Sequence, residues 1–361
     1  MNADVSEPLI LTHREGAITR VTLNRPRAIN ALNTEMFEGI AAALDGATGS
    51  SAIVLDGAGE RGFCGGGDIK QIAFGGDPRI LFGAEYVINY RISASPVPIV
   101  AIMDGITMGG GIGLGGHSAF RVVTERSRLA MPEARIGIMP DVGGHYLLAR
   151  APGRLGEYLS ITAGEMGPAD AIALGFADTL IDSTRIDELR AALAAGGDPE
   201  ATLAEFAVAV PEAPLLAVRE WFDPIADTAL GDVDAVADPI GATAALLAGL
   251  EASDLAVARE TAELARGMCP LSLVATVSQI ARTRADDLDV AAVLEDDFRI
   301  VPRLAVHPNF AEGVRAQLVD KDRNPAWMPQ RVEDLDPAEV AEILAPLADG
   351  EASLGLPVRG A

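Results

Sequence analysis

Residues 62–70 read GFCGGGDIK and follow a short apolar run at residues 52–55. The apolar run is typical of a buried strand, and the three consecutive glycines allow positive φ values in the loop after it. Glycines also let a ligand approach the backbone N–H groups closely. The alternative interpretation is a flexible turn with no binding role.

A second glycine cluster follows the next apolar run. Residues 105–116 read GITMGGGIGLGG, after the apolar residues 99–103. This pattern predicts a helix N-terminus whose unpaired N–H groups face an anion or a polarised carbonyl. The cluster also contains a G-x-G-x-x-G spacing from Gly111 to Gly116. That spacing only weakly indicates dinucleotide binding, because any glycine-dense run produces it.

Two carboxylates stand in a third cluster. Residues 131–144 read MPEARIGIMPDVGG, with Glu133 and Asp141 each directly after a proline. Burial among apolar side chains raises the pKa of a carboxyl group toward the range useful for acid–base chemistry. The structural alternative is that Glu133 pairs with an arginine such as Arg135, and that Asp141 caps a helix together with Arg150.

Length and charge narrow the class of protein. The chain has 361 residues, 49% of them hydrophobic, which is enough for one large domain with an appendage or for two domains, and excludes disorder. The net charge of −24 predicts no nucleic-acid partner. The apolar segment at residues 98–120 is the one candidate for a membrane helix. Its glycine content argues against that, so we predict no membrane partner.

Cysteine usage and the N-terminus predict a location. Cys64 and Cys269 are the only cysteines, which indicates a reducing compartment rather than a disulfide framework. Residues 1–7 read MNADVSE, acidic where a signal peptide is basic, so a cytoplasmic protein is expected. The four histidines fit no ligand spacing, so no metal site is expected. Cys64 is expected to fill space beside the glycine loop.

Periodicity along the chain predicts an α/β fold. A hairpin is expected at residues 9–13 and 17–23, a helix after an N-cap at Asn33, and an amphipathic helix at residues 79–92. Further strands are expected at residues 120–124 and 128–131. Strands and helices alternate to about residue 181, after which the composition predicts helices alone. We therefore expect a core at residues 1–205 and a helical C-terminal region at residues 206–361.

In this order, the motifs resemble the crotonase (enoyl-CoA hydratase/isomerase) superfamily. The matching segments are LNRP at 23–26, AINAL at 28–32, FCGGGDI at 63–69, MGGG at 108–111, MPE at 131–133 and PDVGG at 140–144. The resemblance implies a spiral of ββα units, an acyl-CoA ligand and a trimer or hexamer. It also implies an oxyanion hole made by the N–H groups of Gly67 and Gly110. CoA contacts are implied at Arg27, Ala28, Gly66, Asp68, Ile69 and Lys70.

The resemblance can be narrowed to one branch. Hydratases of the superfamily carry a glutamate where this chain has Gly113, and usually a small residue where it has Asp141. The Glu85-Tyr86 pair and residues 307–327 resemble the 3-hydroxyisobutyryl-CoA hydrolase branch. That branch implies hydrolysis of a short β-hydroxyacyl-CoA thioester, as in valine breakdown.

Roles for individual residues follow from the resemblance. Gly67 and Gly110 would hold the thioester oxygen, Glu133 would act as nucleophile or general base, and Asp141 would orient the substrate hydroxyl or the water. Glu85 would help to bind the acyl end. No cofactor besides the CoA of the substrate is expected, and Arg25, Arg27 and Lys70 are expected to form a cationic patch near the nucleotide. The alternatives are a hydratase or isomerase of the same fold and a catalytically silent acyl-CoA-binding protein.

Overall fold

A computed structural model describes residues 7–73 and 75–359, so six of the seven N-terminal residues that predicted a cytoplasmic location lie outside it. The described residues form nine strands: β1 Ile10–Glu15, β2 Ile18–Leu23, β3 Ala52–Gly57, β4 Ile99–Met103, β5 Ile106–Met108, β6 Phe120–Thr124, β7 Arg128–Ala130, β8 Glu165–Met166 and β9 Thr179–Ile181. Each strand predicted from periodicity is present, with bounds that differ by at most two residues.

Sixteen α-helices lie in the same described ranges: α1 Thr34–Gly46, α2 Lys70–Ala73, α3 Pro78–Ser93, α4 Gly110–Gly115, α5 Gly144–Arg150, α6 Leu155–Thr162, α7 Pro168–Ala173, α8 Ile186–Ala194, α9 Pro199–Phe206, α10 Arg219–Asp232, α11 Pro239–Glu251, α12 Ala256–Arg266, α13 Pro270–Ala285, α14 Val290–Ala305, α15 Pro308–Val314 and α16 Pro337–Leu344. The predicted N-cap of α1 is confirmed, because the Asn33 side chain accepts a hydrogen bond from the Met36 N–H. A π-helix at Arg315–Val319 continues α15.

The larger sheet has six strands in the order β1-β2-β3-β4-β6-β9. β1 and β2 form the predicted antiparallel hairpin, with Glu15 opposite Ile18 and a turn at Gly16, whose φ is +55°. The remaining pairs are parallel. Parallel strands of this kind are covered on both faces, which explains why β3 and β4 are continuous apolar runs rather than alternating ones.

The glycine loop at residues 62–70 pairs with β5 on one side and with the segment before α1 on the other. Cys64 pairs with Thr107 of β5, and Gly67 pairs with Leu32 just before α1, each in an isolated parallel bridge. In the smaller sheet β5 runs parallel to β7, which leads into Glu133. Strand pairing therefore brings the two glycine clusters and the segment that leads into Glu133 close together.

The predicted α/β class with a helical C-terminal region is confirmed: no named strand follows Ile181 anywhere in the described chain. The C-terminal helices pack directly on the core, α13 against α5 and α6, and α14 against α3. A boundary between residues 205 and 206 falls inside α9, and the division into two regions there remains a prediction.

No single helix within residues 7–73 and 75–359 has the length and apolar composition needed to cross a bilayer; α12 and α13, which are bent relative to each other, meet those two requirements only as a pair. Over the same residues, no group of three or more His, Cys, Asp or Glu side chains could hold a metal ion.

Candidate active site

A cavity of about 610 Å³ lies where the three sequence clusters meet. Its wall also includes α3 and the π-helix, so the C-terminal half of this chain closes its own cavity. The lining residues are Arg25, Ala28, Ala31, Gly65, Gly66, Gly67, Asp68, Ile69, Lys70, Phe82, Glu85, Met108, Gly109, Gly110, Pro132, Glu133, Arg135, Ile136, Ile138, Asp141, Val142, Gln317 and Leu318. Of the predicted site residues, only Arg27 is not among them.

Two backbone N–H groups on the cavity wall have no protein acceptor. The bridge at Gly67 uses the neighbouring groups: the Leu32 N–H donates to the Gly66 carbonyl at 2.9 Å, and the Asp68 N–H donates to the Leu32 carbonyl at 2.7 Å. Gly110 is the first residue of α4, where an N–H has no intrahelical acceptor. Neither amide donates a hydrogen bond to any residue that the structure describes. Both N–H groups are therefore available to a ligand.

The Glu85 carboxylate lies against both of these glycines. A Cβ at position 110 would collide with Glu85 Oε1, and one at position 67 would lie 3.6 Å from Glu85 Oε2. Oε1 has no hydrogen-bond partner among the described residues, and the side chain is 2% exposed. Burial, and then the charge of Asp141, raise the pKa of Glu85 well above its ordinary value. Glu85, on α3, therefore lies beside the two glycines whose N–H groups have no protein acceptor.

Glu133 stands on the short 3-10 helix that follows β7. Its Oε1 would lie 2.8 Å from a Cβ at position 109, and its Oε2 has no hydrogen-bond partner in the described part of the chain. Burial, followed by the charge of Asp141, raises the pKa of Glu133 well above its ordinary value. The alternative of an ion pair with Arg135 is not realised, because that guanidinium donates to the carbonyl oxygens of Thr162 and Ala163.

Asp141 is the third buried carboxyl group at the cavity. The Tyr86 hydroxyl donates to Asp141 Oδ2 at 2.6 Å. Burial, and then the charge of Asp297, raise the pKa of Asp141 to about 7. The capping alternative fails, because no side chain caps the N-terminus of α5 and Arg150 pairs with Asp287 instead.

The predicted cationic patch is present in part. Arg25 and Lys70 line the cavity, whereas Arg27 does not. Arg25 forms an ion pair of 2.8 Å with Asp68, so part of its charge is already compensated. Lys70 is exposed at the start of α2. Both residues line the same cavity as the glycine loop.

Some residues support the site in the structure although the sequence predicted no role for them. The buried Asn30 amide donates to the Gly62 and Phe63 carbonyls, at 3.2 Å and 2.9 Å, and its Oδ1 accepts from the Arg25 N–H. It therefore fastens the loop that presents Gly67. Its position in the AINAL motif was the only signal. The C-terminal residues at the cavity, Gln317 and Leu318, lie in the segment 307–327 that carried the branch resemblance, but they were given no individual role.

A further cavity, also of about 610 Å³, opens beside β6 and α5. Arg121 and Asp178 on its wall are paired with each other, and none of the clustered motif carboxylates reaches it. The buried carboxyl groups of the sequence motifs therefore all line the first cavity.

Comparison with known proteins gives a consistent result. The family model described as enoyl-CoA hydratase/isomerase matches residues 18–344. Relatives named 3-hydroxyisobutyryl-CoA hydrolase, mitochondrial, include one from Danio rerio, 34% identical over 89% of this chain and 85% of its own length. Another, from Mus musculus, is also 34% identical, over 93% of this chain and 88% of its own length.

Two solved structures resemble the whole chain. A carnitinyl-CoA dehydratase from Mycobacterium thermoresistibile is 37% identical with a TM-score of 0.85, covering 95% of this chain and 98% of its own. An enoyl-CoA hydratase from Rhodobacter sphaeroides is 39% identical with a TM-score of 0.82, covering 94% of this chain and 98% of its own. The expected crotonase-like architecture is thus confirmed.

The predicted cytoplasmic location is wrong by the same comparison. The relatives from Danio rerio, Dictyostelium discoideum, Mus musculus and Rattus norvegicus all carry the word mitochondrial in their names. Two reduced cysteines and an acidic start do not distinguish the cytoplasm from other reducing compartments, which is why that inference failed.

The order of the motifs, the two free amides at the cavity, the matching family model and the two full-length structural relatives all agree. The chain belongs to the enoyl-CoA hydratase/isomerase family.

Proposed function

We propose that this protein hydrolyses a short β-hydroxyacyl-CoA thioester to the hydroxy acid and CoA. The main substrate that we propose is 3-hydroxyisobutyryl-CoA. The observation that carries the proposal is the buried, unpartnered Glu133 carboxylate in the cavity that also presents the free N–H groups of Gly67 and Gly110. Relatives that share this whole chain and bear the name of that hydrolase support the choice of substrate.

In this mechanism the two amides bind the thioester oxygen. They stabilise the oxyanion that forms when the carbonyl carbon becomes tetrahedral, and one such donor contributes on the order of 10²–10³ in rate. Gly67 and Gly110 both line the cavity, which supports a mechanism in which their N–H groups need no reorganisation as charge develops. CoA contacts at Ala28, Gly66, Asp68, Ile69 and Lys70 would place the thioester there, and Arg27 is the least supported of the predicted contacts because it lies off the cavity wall.

Glu133 then acts in one of two ways. As a nucleophile, its carboxylate oxygen attacks the carbonyl carbon, the C–S bond breaks, the CoA thiolate takes up a proton, and water cleaves the resulting anhydride. As a general base, it takes a proton from a water that attacks directly. Asp141, which accepts a hydrogen bond from the buried Tyr86 hydroxyl, would orient the β-hydroxyl group or the water, and Glu85 would help to bind the acyl end.

The reaction is tested by incubating the protein with 3-hydroxyisobutyryl-CoA and measuring free thiol. Stoichiometric release of thiol and hydroxy acid is expected, with Glu133→Gln reduced on the order of 10³-fold or more. Undiminished turnover by that variant would refute both roles of Glu133. Hydroxylamine added during turnover distinguishes them, because only an anhydride yields a hydroxamate on the Glu133 peptide.

Hydration or dehydration is the second candidate, because two full-length structural relatives are a dehydratase and a hydratase. The geometry at Gly113 counts against the two-glutamate form of that chemistry. A Cβ there would lie 2.7 Å from the Val142 Cβ and 2.8 Å from Asn89 Nδ2, so no glutamate fits. Appearance of the conjugated enoyl-thioester absorbance without thiol release would favour this candidate. Binding of CoA esters without either product would indicate the catalytically silent alternative.

We also propose that the reaction needs no cofactor besides the CoA of the substrate. In addition, we propose that the protein forms a trimer or hexamer. Full activity is expected after dialysis against a chelator. Sedimentation of the purified protein is expected to show a homo-oligomer, and a monomer at micromolar concentration would contradict that part.

A further inference from the structure

Asp297 is a fully buried carboxylate behind the cavity, supplied by α14 of the C-terminal half. Its Oδ2 accepts a hydrogen bond from the Gly143 N–H at 2.8 Å. Its Oδ1 lies 3.2 Å from His145 Nε2. Neither side chain lines the cavity, and the mechanism above uses neither of them.

The hydrogen bond to Gly143 holds a strained turn. Val142 has a φ of +52°, which a β-branched residue adopts only when its surroundings impose it. Its carbonyl contacts His117 Nε2 at 2.8 Å, and the N–H of the same peptide unit, that of Gly143, donates to Asp297. The peptide unit that follows Val142 is therefore anchored at both its carbonyl and its N–H. Asp141 is the preceding residue, so the same anchors fix its position beneath the Tyr86 hydroxyl.

His145 lies between Asp297 and a second helix of the C-terminal half. Its Nδ1 lies 2.7 Å from Thr283 Oγ1 of α13, and its Nε2 lies 3.2 Å from Asp297 Oδ1 of α14. The imidazole therefore connects these two helices behind the turn.

The other ionisable groups near Asp297 are mostly acids: Tyr86 on α3, Glu133, Asp141 on the turn and Asp296 on α14. No arginine or lysine pairs with Asp297 in the described residues, whereas Asp296 is compensated by Arg282 and Arg299. Burial raises the pKa of Asp297, and its charge, when it is ionised, raises the pKa of Asp141.

We propose that Asp297 and His145 are a positioning pair, which holds the strained turn that carries Asp141 and keeps a second ionisable carboxyl group close to it. The inference rests on the proposed function for its consequence in catalysis, but the geometry of the pair does not depend on the substrate. In this proposal, a residue of the helical C-terminal half positions a carboxyl group of the N-terminal core.

The test uses the full-length protein with Asp297→Asn and Asp297→Ala. The asparagine can still accept from the Gly143 N–H but carries no charge, so the inflection due to Asp141 in the pH profile of kcat/KM should move down by about one unit. The alanine also loses the hydrogen bond, and kcat should fall on the order of 10–10²-fold because the turn is released. Glu295→Gln removes a carboxylate from the same helix and is the matched control, expected to change neither.

A readout without turnover separates this inference from the proposed function. Infrared difference spectra between pH 5 and pH 9 record the band of the protonated Asp141 carboxyl, assigned by its loss in Asp141→Asn. Its titration should move down in Asp297→Asn and stay unchanged in Glu295→Gln, whether or not the protein releases thiol. His145→Gln serves if the alanine variant fails to fold, and it should lower kcat as the turn loosens. An Asp141 titration at the same pH in wild type and Asp297→Asn would overturn the proposal.

Discussion

Gly110 shows at the scale of one residue why the site depends on the absence of a side chain. The Glu85 carboxylate occupies the space that a Cβ would need, and Gly110 lines the cavity with an N–H that has no acceptor among the described residues. A larger residue would displace this acid and this amide together. Glycine is therefore required here for close approach rather than for an unusual φ.

Gly110→Ala should lower kcat/KM on the order of 10²-fold while the protein still folds. The added methyl group would push Glu85 away and shift the amide. The matched control is Gly46→Ala at the end of α1, where a Cβ meets nothing within 4 Å. Thiol release measured for both variants beside wild type checks the prediction, and equal activities would contradict it.

Asp141→Asn should stabilise the protein, and more at pH 8.5 than at pH 5. The pKa of Asp141 is raised to about 7 in the folded state, so folding favours the protonated form. For a group with a raised pKa, stability is lost as the pH rises from the ordinary value of about 4 to the raised one. The amide removes this loss. Melting temperatures of both proteins at the two pH values test it, and a difference that shrinks at high pH would exclude it.

At the scale of elements, the site is built where α3 crosses α4. Asn89 of α3 and Val142 lie against Gly113, which leaves no space between the two helices for a longer side chain. Both polar atoms of the Asn89 amide are buried without a protein partner in the described residues. The packing of these helices therefore excludes a glutamate from position 113.

Gly113→Ala should destabilise the protein by about 1–3 kcal/mol, because one methyl group overpacks this crossing. Denaturant unfolding of the variant and wild type measures the loss. Gly46→Ala is again the control and should be within about 0.5 kcal/mol of wild type. A Gly113→Ala variant as stable as wild type would mean that the crossing is looser than the distances indicate.

At the scale of the whole molecule, the C-terminal helices complete the core. α13 and α14 cover faces of α5, α6 and α3, and the π-helix supplies Gln317 and Leu318 to the cavity. The two regions predicted from composition are therefore proposed to be stretches of one cooperative structure rather than separately folding units.

A fragment of residues 1–205 should accordingly fail to form a native core. The apolar faces of α3 and α5 would be left in water, so the fragment is expected to bind a hydrophobic dye and to lack near-ultraviolet circular dichroism. It should release no thiol from the substrate. A fragment with a cooperative melting transition would show instead that the N-terminal region folds alone.

Much of this arrangement could be predicted from the sequence. The hairpin, the buried strands and the capped helices follow from local periodicity and from single residues such as Asn33, which act within a few positions along the chain. The site carboxylates Glu133 and Asp141 were recognisable because acids in an apolar stretch are unusual. Asp297 carried the same signal, since it lies on the apolar side of α14 among Val293, Leu294, Ile300 and Val301, but nothing local connected it to the motifs.

The sequence by itself determined the α/β class, the helical C-terminal region, the two glycine loops and the acids of the site, because each depends on local conformational preference or on a short motif. Only the tertiary structure decided which groups meet. It separated Arg27 from the cavity, put Glu85 against Gly110, gave Asp141 a hydroxyl partner in Tyr86, and brought Asp297 behind it from 156 residues further along the chain. These contacts arise from the packing of helices distant in sequence, and no local pattern records which helix will cover which face.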